Sequence, residues 1–356
     1  SIGQTTQNFD QPGLSYLTQE FGFPIGEVMA GGPTGNFLRL APANSPFSTQ
    51  MASFSSTVPE PFDLLSVDFD FRITPVTGRG EGFSVSLLDS RLFGENGMGL
   101  YLNEEPGFSD NAALSVSFDT QQQPWEPNDN HISVLLQGVQ QGEIFSPGFD
   151  LANGLFNHGH LTVQQANDGL LASLDLGPDG GQSINVFTNL LLPGVHAIEA
   201  RLAIGARNNG PAADFDFDNF SVQVSPRTDD LSTIALGQSV SGNLPADGTP
   251  ARFEFDLAQD ATAYFDALVN NGNRWRLDGP QGRVSDERAF WDSDAYGGRR
   301  TGLLDLAAGR YVLSVINASA DPIGASADPA YGFRLVDVTE ATNIAVGATL
   351  NDTLTA

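Results

Sequence analysis

A strict two-residue alternation constrains this chain more than any other feature. Asp68-Phe69-Asp70-Phe71-Arg72 and Asp214-Phe215-Asp216-Phe217-Asp218 each set phenylalanine against a charged residue at every step. Successive side chains of a strand point to opposite faces, so each stretch buries a row of phenylalanines and turns its aspartates the other way. Those aspartates read as a solvated acidic sheet face, because carboxylates spaced along one flat face diverge. Further strand signals fall at 65–73, 83–88, 99–102, 114–119, 131–136, 161–165, 170–176, 196–204 and 215–224. Turn clusters such as Gly177-Pro178-Asp179-Gly180-Gly181 separate several of them, and no amphipathic helix longer than two turns stands out. The pattern predicts an all-β chain built on a two-sheet sandwich of jelly-roll type.

The 356 residues suffice for two substantial cores. A boundary falls near Ser225-Pro226-Arg227-Thr228-Asp229-Asp230, giving a first domain over 1–226 and a second, smaller β-sandwich over 227–339. The second carries Phe253-Glu254-Phe255-Asp256-Leu257, Trp275-Arg276-Leu277-Asp278-Gly279-Pro280, a strand signal over 306–315 and Tyr331-Gly332-Phe333-Arg334-Leu335. Residues 231–246 align with 341–356, with Ile, Ala, Gly, Leu and Ala recurring in register. The segment 340–356 is therefore expected to be the first strand of a further repeat, or a spare strand through which the chain associates with itself.

Net charge is −27, and all sixteen basic residues are arginine. Such a chain is repelled by nucleic acid and by anionic membranes, and it suits cations and neutral glycans. No apolar run is long enough to span a bilayer as a helix. The absence of cysteine excludes disulfides, zinc–thiolate sites and cysteine catalysis.

The densest chemistry lies at 114–134, a strand, a polar loop and a second strand. Val116, Phe118, Ile132 and Val134 occupy the apolar strand positions, and Asp119, Glu126, Asn128, Asp129 and His131 crowd the turn between them. Carboxylates gathered so closely repel one another unless a cation neutralises them, and hard oxygen ligands suit calcium. Spacing alone leaves a solvated, metal-free loop equally open. His131 could equally be a strand-end histidine bonded to backbone.

This segment resembles the metal-binding loop of the legume-lectin (concanavalin A-like, L-type) family. Val116-Ser117-Phe118-Asp119-Thr120 is similar to that family's V-E-F-D-T, and Asp129-Asn130-His131-Ile132-Ser133-Val134 to the end of its D-P-x-x-x-H-I-x-I, with Glu126-Pro127 at the start. The resemblance implies that Asp119 and Glu126 hold the ion, with the carbonyl of Gln121, the side chain of Gln123, Asn128 or Asp129, and His131 as further ligands. Ser117 stands where the family has a glutamate that helps hold a transition metal, so one calcium ion is expected and a transition metal is not. Gly80-Glu81-Gly82-Phe83-Ser84-Val85 resembles A-D-G-x-A-F, and Gly94-Glu95-Asn96-Gly97-Met98-Gly99-Leu100-Tyr101 resembles G-G-x-x-G-L-F. The resemblance thus names Glu81, Gly97, Gly99 and Gln123 as glycan-binding residues. Arg207, Asn208 and Asn209, in a stretch similar to the last loop of bacterial members, could choose the ligand or form an ordinary polar hairpin. Trp125 could stack on a sugar face or anchor the loop. The 227–339 region resembles the bacterial pre-peptidase C-terminal domain.

Catalysis is not expected. Glycosidases on this fold carry E-x-D-x-x-E, and the aligned positions here read Ser117-Phe118-Asp119-Thr120-Gln121-Gln122. Glu254-Phe255-Asp256-Leu257-Ala258-Gln259 lacks the last acid. His158-Gly159-His160 reads as an exposed polar turn with little claim to a metal. The expected protein is an extracellular or cell-surface bacterial adhesion module that binds glycans in a calcium-dependent way. The rival expectation is a structural subunit of an extracellular fibre or matrix, assembled through the C-terminal strand.

Overall fold

The computed structural model describes residues 2–21, 26–99, 102–106, 113–246, 249–293, 302–317, 328–341 and 344–349. It divides into two compact units, Ser1–Thr228 and Asp229–Ala356.

Among the described residues, the first unit contains β1 (Gly3–Gln7), β2 (Tyr16–Phe21), β3 (Glu27–Gly32), β4 (Gly35–Ala41) and β5 (Phe47–Phe54). The next are β6 (Phe62–Pro75), β7 (Gly82–Asp89), β8 (Ala113–Asp119), β9 (His131–Leu136) and β10 (Val139–Phe145). The last are β11 (Asn157–Ala166), β12 (Gly169–Pro178), β13 (Ile184–Pro193), β14 (Ala200–Asn209) and β15 (Ala213–Pro226). One sheet runs β13-β12-β11-β6-β15-β4-β3, with β1 also paired to β15. The other runs β10-β9-β8-β7-β14-β5-β2. Every pairing in these two sheets is antiparallel, and their apolar faces share one buried core, so the all-β jelly-roll sandwich stands.

The alternation fixes which side chains meet. Phe69 and Phe71 of β6 and Phe215 and Phe217 of β15 are fully buried, against Phe83 of β7 and Phe118 of β8 from the opposite sheet. Phe83 and Phe118 stack at 4.4 Å with planes 6° apart, and Phe71 lies 5.1 Å and 5.7 Å from them.

The acidic face of this sheet is not simply solvated. Asp70, Asp216 and Asp218 are buried. Arg39 and Arg72 both bond Asp216, at 2.8 Å, and the Arg72 guanidinium lies 4.4 Å over the Phe156 ring. Cross-strand partners thus cover carboxylates that would otherwise diverge into water. The His158-Gly159-His160 run is likewise no turn. It lies in β11, and a Cβ at Gly159 would fall 2.3 Å from the Phe69 ring, so glycine lets the strand close over the core. The strand expected at 196–204 begins at Ala200. Of the strand expected at 99–102, residues 100 and 101 lie outside the described residues, and Gly99 and Leu102 are not in a strand.

The second unit is also β. Its strands are β16 (Leu231–Thr233), β17 (Ser239–Asn243), β18 (Ala251–Leu257), β19 (Ala261–Ala267), β20 (Arg274–Gly279), β21 (Gly282–Ala289), β22 (Leu303–Leu306), β23 (Gly309–Ile316) and β24 (Ala330–Asp337). They form sheets β16-β18-β23-β20-β21 and β17-β24-β19-β22 around Trp275, which stacks on Phe265 at 4.0 Å. Among the described residues, the repeat has a structural counterpart in its turn. Gln238 N–H donates to the Ala235 carbonyl at 3.1 Å and Ala348 N–H to the Ala345 carbonyl at 3.0 Å, around Gly237 at φ 83° and Gly347 at φ 87°. Ile234 is buried in the first copy, whereas Ile344 is exposed in the second. Ala341 and 344–349 form no strand, and the rest of 341–356 lies outside the described residues.

Contacts of Phe69 and Phe71 with the stacked Phe83–Phe118 pair tie the two sheets together. Phe118→Ala should destabilise the first unit by about 3–5 kcal/mol. Denaturant unfolding checks this.

Candidate metal centre and adjoining polar site

The site stands where β7, β8 and β14 end together. Gly82 pairs with Asp119 on one side and with Arg207 on the other, and Asp119 pairs with His131 across the loop. Gly82 has φ 136°, and a Cβ there would lie 2.2 Å from the Phe118 carbonyl oxygen, so the close approach of β7 to β8 needs glycine. Residues 102–106 lie across the outside of this sheet. The Ser84 hydroxyl donates to the Asn103 carbonyl at 2.6 Å, and a Cβ at Gly205 would meet the Leu102 carbonyl oxygen at 2.6 Å. That crossing brings Glu104 and Glu105 to the strand ends.

Glu105, Asp119, Glu126 and His131 place one ligand atom each within 4.8 Å of one another. Asp119, Glu126 and His131 are buried and Glu105 is half-buried. Burial, followed by the charges of Glu126, Glu105 and Glu104, pushes the Asp119 carboxyl up to about 9, against a hydrogen bond from the Gln121 amide that favours the ionised form. Burial is also the main cause that raises Glu105. Glu126 accepts from the Gln123 amide through Oε2, while its Oε1 is buried with no hydrogen-bond partner. The Nδ1 of His131 lies 3.0 Å from the Asn128 carbonyl oxygen. A histidine whose one nitrogen is held by backbone is oriented to offer the other to a metal. Three carboxylates, one of them with an orphaned oxygen, and an imidazole fit a divalent cation.

The sequence named seven ligands, and the structure gathers Asp119, Glu126 and His131. Asp129 turns to Arg79, whose Nε lies 3.5 Å from its Oδ2. Asn128 is exposed, and its side-chain oxygen accepts from the Asn130 amide at 2.9 Å. Gln121 contributes an amide to Asp119 at 2.9 Å. The side chain of Gln123 donates to Glu81 at 3.2 Å. Glu105 was missed, since nothing in its sequence neighbourhood resembles a metal loop and it arrives by a crossing over the sheet. It supplies a carboxylate where Ser117 has none. The ground for excluding a transition metal, a lost charged ligand, thereby falls away.

Beside the cluster, Glu81 is buried, bonded by Gln123 and Asn209 and close to Arg207. Arg207 donates to Glu104 at 3.3 Å. Burial raises Glu104 to about 7, with Arg207 opposing and Glu81 and Glu105 adding to the rise. Arg207 and Asn209 thus lie at the end of β14, not in a loop. Asn208 is a brace: its side chain closes both ways on the Ala213 backbone at 3.0 Å. Trp125 is 78% exposed on the rim of an open cleft of about 590 Å³ that also takes in Glu126, His131, Gln140 and Phe145. It is not a buried anchor.

Gly97 and Gly99 do not join this group. The buried Arg201 guanidinium collects the carbonyls of Phe93, Gly94, Asn96 and Gly97, the last at 2.7 Å, and Arg201 pairs with Leu88 at the far end of β7. The Gly99 amide is already committed to the Ser53 hydroxyl at 3.1 Å. Six residue steps along the strand separate that end from Gly82, roughly 20 Å.

No family model and no curated protein matches the chain. Among solved structures it is similar to the winged bean acidic lectin complexed with methyl-α-D-galactose, at 15% identity and TM-score 0.49, covering 64% of this chain and 100% of that one. It is similar to the Lotus tetragonolobus seed lectin at 14% identity and TM-score 0.48, covering 64% and 100%. A third is lectin I from Ulex europaeus in complex with the methyl glycoside of α-L-fucose, at 17% identity and TM-score 0.46, covering 63% and 98%. Likeness at this level assigns no ligand.

A carboxyl whose pKa is raised by folding favours the native state below its unfolded pKa and loses that contribution as pH rises through the native one. In chelator-treated protein, Asp119 and Glu104 should therefore erode stability between about pH 4 and pH 9. Added calcium needs the ionised carboxylates, so the rise in melting temperature it produces should grow from pH 5 to pH 9. Thermal melts with calcium and with EDTA across that range check it.

Proposed function

We propose that the first unit is a cation-stabilised, lectin-like glycan-binding module without catalysis, and that it serves adhesion at the cell exterior. The observation that carries this reading is the juxtaposition at the ends of β7, β8 and β14. A carboxylate cluster fit for a divalent ion shares its loop with a polar rim and an exposed indole. Glu105, Asp119, Glu126 and His131 would hold the ion, and calcium is the proposed occupant because carboxylate oxygens dominate the set. The ion's contribution is charge neutralisation, which lets the 120–130 loop stay closed over buried carboxylates.

The chain's own residues do the rest. Gln123 N–H groups hold Glu126 and Glu81, so the loop backbone and the ligand-facing carboxylate move as one piece. Glu81 accepts hydrogen bonds from sugar hydroxyls while Arg207 and Asn209 fix its position. Trp125, on the rim of the adjoining cleft, offers an aromatic face to an apolar sugar face. The net charge of −27 disfavours sialylated or sulfated glycans and favours neutral ones. The sequence resemblance at 116–134 and 80–85 supports the same reading.

A second reading, self-assembly through 341–356, has one observation in its favour. The turn of the first copy recurs in the second, with Ile344 and Val346 left exposed. The two are separable in a single experiment. The full chain, printed against a glycan array in calcium and again in EDTA, should bind a defined neutral set in calcium only, and Glu126→Gln should reduce that binding at least tenfold. Silence in both conditions, with oligomers that disappear on deleting 341–356, would replace this reading with the second.

A further inference from the structure

On the outer face of the other sheet, far along the chain from the loop above, two histidines and two aspartates meet. His158 and His160 stand two residues apart on β11 and share a face. Asp70 and Asp68 of β6 lie directly across from them in register. Asp68 Oδ1 faces both imidazoles, 3.2 Å from His158 Nε2 and 2.7 Å from His160 Nδ1. The two rings and Asp68 are each a little over one-third exposed, so solvent and ions reach them.

We propose that His158, His160 and Asp68 form a binding site for a borderline transition-metal cation, zinc being the type, separate from the carboxylate loop. Three features support it. Two imidazoles and one carboxylate suit zinc, nickel or copper and not calcium or magnesium. The second support is orientation. His158 Nδ1 is 2.8 Å from Oδ1 of the buried Asp70, whose Oδ2 accepts from Asn219 Nδ2 at 2.8 Å. A carboxylate holding the far nitrogen of an imidazole, itself held by an amide, is the outer support that aims a metal-ligating histidine. Third, the donors sit on hydrogen-bonded strands, with β11 flanked on both sides, so their backbones cannot drift apart.

The surrounding charge favours a cation as well. Asp175 of β12 pairs in register with His160, and Asp179 and Asp218 lie close by. Asp68 and Asp70, which hydrogen-bond the rings, and Asp175 beside His160 favour positive charge there, whether carried by protons or by a metal. Binding exchanges one for the other. The N–H protons of His158 Nε2 and His160 Nδ1 leave to solvent, and the freed lone pairs join Asp68 around the ion at about 2.0–2.2 Å. The ring nitrogens that face Asp68 stand too far apart to share an ion as they are, so binding turns both rings inward as Asp68 rotates off them. Asp70 is a positioning residue, since it touches the ring and not the ion.

The chain has four histidines, so their ring resonances give a direct readout. The calcium-loaded chain is titrated with zinc chloride at pH 8, with ring nitrogens followed by NMR and heat by calorimetry. His158 and His160 should shift together and saturate at one equivalent, with His131 assigned through His131→Gln. The double variant His158→Gln/His160→Gln, on an exposed face, should lose that one equivalent while keeping the native circular dichroism and the calcium response. Asp70→Asn should keep the site and weaken it by about 10- to 100-fold. Binding should also weaken as pH falls from 8 to 6. Unchanged His158 and His160 rings up to 1 mM zinc, or equal zinc uptake by wild type and double variant, would overturn the proposal.

Discussion

Everything at the candidate site hangs on one register, Gly82 opposite Asp119. The stack of Phe83 on Phe118, one residue further along each strand, locks it from inside the core. A slip of β8 by one residue would send Phe118 to the outer face and Asp119 into the apolar core. The glycine that permits the approach, the phenylalanines that hold it and the aspartate that uses it are consecutive or cross-strand neighbours. Packing energy in the sandwich is thereby converted into the placement of a carboxylate beside Glu126, Glu105 and His131.

That placement is costly without a counter-charge. Burying ionised carboxylates near one another is unfavourable, and a carboxylate oxygen with no partner adds to the cost. The rise of Asp119 to about 9 states the same conflict as a protonation equilibrium. A proton or a divalent cation relieves it, and only the cation does so while leaving all the carboxylates able to accept hydrogen bonds. On the other sheet buried carboxylates find partners within the fold: Asp216 with Arg39 and Arg72, Asp70 with His158 and Asn219. The loop cluster is different in kind, having one histidine near its carboxylates and Arg207 only at its edge.

Much of the fold was legible because period-2 alternation is a local signal. Phe69, Phe71, Phe215 and Phe217 announced two strands with one buried phenylalanine face each, and the structure pairs those strands with each other. The loop ligands Asp119, Glu126 and His131 were legible for the same reason, lying within thirteen residues of one another. What was not legible depended on crossings. Glu105 reaches the cluster by passing over β7 and β14, and no spacing encodes that. Gly97 and Gly99 were assigned to the wrong end of the sheet because the buried Arg201, whose role is to gather loop carbonyls, looks like any arginine in sequence. His158 and His160 were read as a turn, since histidine and glycine carry little strand propensity, and tertiary pairing with Asp68 and Asp70 overrode it.

The measurement that bears most directly on the central claim is a crystal structure of the full chain grown with calcium, with the ion located by anomalous scattering. One ion bound to Asp119 and Glu126 at about 2.3–2.6 Å, with Glu126 Oε1 no longer orphaned, is the result this account requires. A site filled by water alone, with Asp119 protonated and hydrogen-bonded to a neighbouring carboxylate, would contradict it.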